Sequence, residues 1–343
     1  MKKILIVGFG SIGNRHAKNL LKTTDFNIII CTKQNPIISE KLRALFSKYS
    51  NRIEIISSID DAIKKNPSVA FITNETSLHI PIALKLAKAG IDMFIEKPLS
   101  HSLKNVERLI TITKRKKLIT QIGCNLRFFP PIKKIKEMID SGLLGRIISV
   151  HVEMSSYLPD WHPYEDYRKG YAARKELGGG VALTQIHEID YLYWLFGDVE
   201  KAFSVTGKFS NLKINADDLS VSILKFKNGM IAEVHLDYFQ RPYYKICKVK
   251  GTKGTILWNS DKNTVMYYLN DEKKWLVTQI QNNYKLTSPK LNKMYVDEVK
   301  HFLACVRKRQ RTINDIEQGK KTLEIVVAML NSSKLNRMIH VGQ

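Results

Sequence analysis

The chain's 343 residues, 44% hydrophobic and 25% charged, have ordinary globular composition and enough length for two cores. No stretch approaches the roughly 18 apolar residues of a membrane helix, the run after Met1-Lys2-Lys3 stops at Gly8, and Cys31, Cys124, Cys247 and Cys305 form no C-x-x-C pair, so a cytoplasmic protein with reduced thiols, no metal site and no membrane insertion is expected. The net charge of +23 suits an anionic small molecule, but no nucleic-acid motif accompanies the basic runs 114–117 and 307–311, which read as solvated helix ends.

In chain order, residues 2–7 are β-branched and apolar, followed by a glycine-rich turn and a helix to about residue 21. Further strands are expected at 27–32, 53–56, 68–73, 92–96 and 118–123. Helices are expected between them: 41–49, 58–65 with Ser58 as cap, 78–90 closed by Gly90, and 103–116. Strands alternating with helices at this spacing predict α/β units in a parallel, doubly wound sheet. Near residue 125 the rhythm changes. A Lys-rich helix at 130–141, a strand at 146–157, a long irregular stretch at 157–180 and a helix at 181–196 come next. Alternating strands with hairpin signals such as Asn228-Gly229 fill 202–277, and helices at 294–308 and 315–330 close the chain. The second half therefore reads as α+β around a mostly antiparallel sheet, with domains at 1–123 and 124–343.

Gly8-Phe9-Gly10-Ser11-Ile12-Gly13 lies between a predicted strand and a predicted helix, the setting in which G-x-G-x-x-G binds a dinucleotide. Gly8 permits the tight turn, Gly10 lets the backbone approach the pyrophosphate, and Gly13 lets the helix pack on the strand. NAD enzymes usually carry an acidic residue about 20 positions on. Here the second strand ends in Cys31-Thr32-Lys33, where a hydroxyl donor and a cation suit a 2′-phosphate. That reading favours NADP, with NAD as the alternative.

With Glu96-Lys97-Pro98 after the fifth strand, the sequence resembles the glucose–fructose oxidoreductase/inositol dehydrogenase (Gfo/Idh/MocA) family. The resemblance extends through Thr73-Asn74 with His79, Gly123 to Phe128, and Gly178-Gly179-Gly180 with His187 and Asp190. It implies an N-terminal Rossmann domain and a C-terminal α+β domain whose open sheet commonly supports a homodimer or homotetramer. It also implies hydride exchange between a nicotinamide and a hydroxyl-bearing carbon of a sugar, cyclitol or nucleotide-sugar. Lys97 is then the general acid/base, on a cis peptide to Pro98. Glu96, Lys97, Thr73, Asn74, His79 and Asn125 join the glycine turn around the cofactor.

Family members often carry an aspartate four residues before the histidine. Here that position is Leu183, with Thr184 three before His187. Thr184 could orient substrate but not act as the base, which leaves Lys97 and His187 as the catalytic pair. Arg127 would hold the substrate or pack structurally. The aromatic segment with Tyr157, Trp161, Tyr164, Asp166 and Tyr167 suits stacking on a sugar or nucleobase, or loop packing. A sugar or nucleotide-sugar dehydrogenase, loosely like those of surface-polysaccharide pathways, is the leading reading. A cyclitol enzyme, a linear-tetrapyrrole-type reductase and a non-catalytic NADP-binding regulator are the alternatives.

Overall fold

A computed structural model describes residues 3–33, 47–163, 165–261, 264–278 and 291–342. The chain forms two units: Met1–Cys124 with Tyr295–Lys320, and Asn125–Met294 with Lys321–Gln343.

In the first unit, β1 (Lys3–Val7), β2 (Asn27–Cys31), β3 (Ile53–Ile56), β4 (Val69–Ile72), β5 (Asp92–Glu96) and β6 (Thr120–Gly123) form a parallel sheet. The strand order is β3-β2-β1-β4-β5-β6. Most of these strands are buried along their length, as their near-continuous apolar sequences require. The helices α1 (Ser11–Thr23), α2 (Ile59–Lys64), α3 (His79–Ala89) and α4 (Val106–Arg115) connect the strands. Ser58 caps α2 by accepting the Asp61 N–H, and Gly90 closes α3 at φ +82°. The strand order reverses between β1 and β4, the point at which an open α/β sheet binds its ligand. The helix expected at 41–49 lies, up to residue 46, outside the described residues.

The second unit begins with α5 (Pro130–Asp140) and β7 (Ile147–Ser155), then α6 (Val181–Thr184) and α7 (His187–Phe196). Next come β8 (Val199–Gly207), β9 (Leu219–Phe226), β10 (Ile231–Asp237), β11 (Tyr244–Gly251), β12 (Gly254–Asn259), β13 (Val265–Leu269) and β14 (Trp275–Thr278). The chain closes through α8 (Asn292–Lys308), α9 (Ile316–Leu335) and β15 (Ile339–His340). The sheet runs β14-β13-β12-β11-β7-β10-β9-β8-β15, antiparallel except where β7 meets β10. Alternation along its strands buries one face with Val152, Leu224, Val234, Val249 and Trp258. Val205, Val221, Ile223 and Ile231 are exposed on the other.

Two expectations are corrected. The segment 295–320 belongs with the first unit, not with everything after residue 124. Phe302 packs edge-on against Phe71 and Phe94, the Ile122 N–H donates to Asn314 O at 2.7 Å, and the Thr312 hydroxyl donates to Thr120 O. This returning segment therefore completes the core of the first sheet. The helix expected at 181–196 is two helices. The short α6 is tied at its start to Asp217, and Gln185 just after it leaves helical geometry and donates to Asp237 O at 3.1 Å.

Candidate active site

At the glycine turn, Gly8 has φ +89°, and a Cβ there would sit 2.7 Å from Asn74 Cα. At Gly13 a Cβ would crowd Gly8 O and lie 2.8 Å from Thr73 Oγ1. Both positions are forced to be glycine by backbone that cannot retreat. Gly10 differs: a Cβ there would meet nothing within 4 Å, so its lack of a side chain leaves space rather than relieving a clash. α1 starts at this point with no side-chain cap and no acidic residue in its first turn. Its free N–H groups and positive dipole end suit a pyrophosphate, so these residues fit a dinucleotide.

Thr73 serves the turn from outside, its hydroxyl lying 3.0 Å from Val7 O and 2.8 Å from Gly8 O. Phe9 is buried, Ser11 is exposed and Ile12 is half-buried. Thr32 is buried at the end of β2 with its N–H bonded to Ile56 O, and Lys33 beside it is exposed. His79, expected near the cofactor, is buried with Nε2 3.0 Å from Asn74 O and Nδ1 2.9 Å from Pro98 O. It braces two segments of backbone, and burial lowers its pKa.

Lys97 follows the last residue of β5, and its peptide to Pro98 is cis, as expected. Every residue from 91 to 100 is buried except Lys97. Glu96 is turned inward: its Oε1 is 2.7 Å from His16 Nε2, and its Oε2 accepts the Lys97 N–H at 3.2 Å.

The second unit repeats this pattern around His187. From 178 to 192 only His187 is not buried. It opens α7, and its neighbours are locked. Asp190 takes Arg127 Nε at 2.8 Å and Nη2 at 2.9 Å, with both side chains buried. Glu188 pairs with buried Lys245 at 2.5 Å. The glycines before α6 make room for neighbouring chain, since a Cβ on Gly179 would meet Tyr171 O and one on Gly180 would meet Asp217. Thr184 is buried and interacts with the Tyr238 phenol. Arg127 is therefore the internal counter-ion of the helix that carries His187. Asn125 is also buried, with Oδ1 lacking a hydrogen-bond partner among the described residues.

The aromatic segment is partly self-engaged. Arg241 lies 3.3 Å over the Tyr157 ring and pairs with Asp160. Trp161 donates to Ser156 Oγ at 2.9 Å and packs edge-on against Tyr238. Arg168 clamps Asp166, holding its carboxyl down at about 2, and the Tyr167 hydroxyl accepts the Lys213 N–H. Tyr164 lies outside the described residues.

Sequence reasoning missed His16, Lys245 and Asp217. For His16 a signal existed, because it shares a buried helical stripe with Gly13, Ala17, Leu20 and Leu21, and a polar residue there demands a partner. Asp217 lies 35 residues from the α6 amide it accepts, and no local pattern announces it.

A parallel sheet of this order with a ligand-ready glycine turn defines a dinucleotide-binding protein of the Rossmann class. Comparison with known proteins makes this specific. Residues 2–124 match a family model described as "Oxidoreductase family, NAD-binding Rossmann fold", and residues 136–341 match "Oxidoreductase family, C-terminal alpha/beta domain". The chain belongs to the Gfo/Idh/MocA oxidoreductase family. A myo-inositol 2-dehydrogenase of Thermotoga maritima is 26% identical, over 99% of this chain and 99% of its own. A levoglucosan dehydrogenase in complex with NADH and levoglucosan shares the fold at TM-score 0.85, 18% identity and full coverage of both chains. The WlbA dehydrogenase of Bordetella pertussis, in complex with NADH and UDP-GlcNAcA, does so at TM-score 0.80 and 21% identity, with full coverage of both chains. Among the described residues, no helix is long and apolar enough to cross a membrane.

Proposed function

We propose that the protein transfers hydride between NADP(H) and a hydroxyl-bearing carbon of a sugar or nucleotide-sugar, with NAD(H) as the weaker cofactor. The observation that carries this reading is the isolated partial exposure of Lys97 and of His187, each in an otherwise buried stretch beside residues held by buried side-chain pairs. A bound nicotinamide would supply the hydride acceptor or donor, with the turn from Gly8 to Gly13 holding the cofactor's pyrophosphate. In the oxidising direction the alcohol loses hydride from carbon and a proton from oxygen, and the neutral amine of Lys97 takes that proton. His187 orients the hydroxyl, while Thr184, buried against the Tyr238 phenol, supports the start of α7 rather than acting as a base. The absence of a carboxylate after Thr32, with exposed Lys33 beside it, supports NADP. Levoglucosan and UDP-GlcNAcA in the similar structures support a sugar-like substrate, and the myo-inositol relative supports a cyclitol as second choice. The exposed apolar rows of β8 and β9 support a homo-oligomer formed through the open sheet face, in the cytoplasm.

The test is a nicotinamide-absorbance screen of sugars, nucleotide-sugars and cyclitols with both cofactors. On the best substrate, Lys97→Met lowers kcat by about 10²–10⁴-fold, the usual worth of a positioned acid/base group, and leaves NADP(H) binding intact. Full activity in Lys97→Met would remove the mechanism. Cofactor binding without turnover across the screen would favour a regulator.

A further inference from the structure

We propose that His16 is a positioning residue for Lys97, acting through Glu96 as one half of a buried imidazole–carboxylate pair. The inference rests on the reading of Lys97 as the acid/base group. His16 lies on α1, three residues beyond Gly13, and is wholly buried. Its Nε2 is 2.7 Å from Glu96 Oε1, while Glu96 Oε2 accepts the Lys97 N–H at 3.2 Å. A single carboxylate thus links the helix that opens the dinucleotide turn to the backbone of the lysine.

The surroundings leave this carboxylate little choice. Phe71 and Phe94 flank the His16 ring with centroids at 5.4 Å and 5.0 Å, and Tyr295 lies beyond at 6.5 Å. Gly123 closes the other side, since a Cβ there would be 3.1 Å from Glu96 Oε1. A carboxylate in an apolar enclosure must be hydrogen-bonded, and His16 brings a side-chain donor to within 2.7 Å of it.

The ring's proton is also assigned by elimination. Nδ1 of His16 has no hydrogen-bond partner among the described residues. Were Glu96 the donor, the neutral ring would carry its proton on Nδ1, leaving a buried N–H unsatisfied. The proton therefore sits on Nε2 and is donated to Glu96. The pair holds Glu96 so that its second oxygen stays on the Lys97 amide. That fixes the point from which the lysine side chain leaves β5.

The experiment compares His16→Leu, which removes the donor, with His16→Gln, whose amide can donate in place of Nε2. His16→Asn, too short to reach Glu96, repeats the loss in a polar background should the leucine variant not fold. We expect kcat to fall roughly 10- to 100-fold in the Leu and Asn variants, the cost of an ångström-scale misplacement, with KM and NADP(H) affinity within about three-fold of wild type. His16→Gln recovers most of the loss. A second readout needs no substrate: acylation of the Lys97 amine by an activated ester, read by peptide mass spectrometry against exposed Lys88. That ratio shifts in the Leu and Asn variants and returns in His16→Gln. Leu, Asn and Gln variants that match one another in both kcat and acylation would overturn the proposal, as would losses confined to melting temperature. If Lys97→Met kept full activity, the catalytic reading would fail, and the acylation ratio would still decide whether His16 positions the lysine.

Discussion

Replacing Arg127 separates its two possible roles, substrate holding and internal counter-ion. Its guanidinium meets Asp190 through two bonds of 2.8 Å and 2.9 Å, and the two side chains are 0% and 1% exposed. Arg127→Met removes both of these bonds from the buried Asp190 carboxylate, whose Oδ1 also lies 3.4 Å from Thr322 Oγ1. Breaking one partner of a buried pair costs about 3–5 kcal/mol, whereas replacing both by apolar groups of similar volume is often near neutral. Arg127→Met should therefore destabilise by about that amount, and Arg127→Met with Asp190→Leu by much less than the two single changes summed. For a unit of this size, about 2–4 °C per kcal/mol makes the single change worth roughly 6–20 °C. The assay is direct, because all four tryptophans, Trp161, Trp194, Trp258 and Trp275, lie in the second unit, so their emission during heating reports that unit. Additive single and double variants, or an Arg127→Met melt within a degree of wild type, would refute the internal role and return Arg127 to the substrate.

Thr32→Asp should reverse or erase the proposed NADP preference by repelling the 2′-phosphate, and titration of both reduced cofactors by nicotinamide fluorescence checks it, a wild-type preference for NAD being the contrary result. Gly13→Ala puts a Cβ against Gly8 O and Thr73 Oγ1, so cofactor affinity should fall at least about tenfold, measured by the same titration, because rigid backbone must shift at a helix N-terminus. His235 has its pKa raised first by its hydrogen bond to Asp237 at 3.0 Å, so the stabilisation is complete below its unfolded value of about 6.5 and is lost as pH rises through the folded value. With the imidazole side chain 35% exposed, solvent screening holds that contribution to under about 1 kcal/mol, and tryptophan melts should decline slightly from acid to neutral pH in wild type but not in His235→Gln.

The parallel sheet was legible because each strand carries its own evidence. Ile4-Leu5-Ile6-Val7 and Val69-Ala70-Phe71-Ile72 are apolar runs bounded by turn residues, and burial on both faces is what such runs require. The return of residues 295–320 was not legible. The bond from Ile122 to Asn314 joins positions 192 apart, and α8 is amphipathic whichever core receives it. The break between α6 and α7 escaped for the same reason. Residues 181–196 are a good helical sequence, and distant contacts to Asp217 and Asp237 decide where it stops.

The site divides along the same line. Gly8 to Gly13 could be read because three glycines, a strand and a helix meet within a few residues, and Lys97 because a tripeptide marks it. The groups that hold Lys97 and His187 were harder to read: the buried stripe of α1 flags His16, but each is one half of a pair closed across 57 to 80 residues, His16 to Glu96, Arg127 to Asp190, Glu188 to Lys245. The two ion pairs among them, Arg127 to Asp190 and Glu188 to Lys245, are poor sources of stability, since desolvating two charges costs about what their attraction returns. Their placement says more than their energy. Glu96 directly precedes Lys97, while Glu188 and Asp190 come one and three residues after His187, so each pair is anchored beside a residue that is itself only half-buried. A side chain that must move a proton needs a fixed origin. An apolar replacement of the pair at Asp190 and Arg127 should therefore keep the second unit folded while loosening His187, so that its damage appears in turnover rather than in the melt.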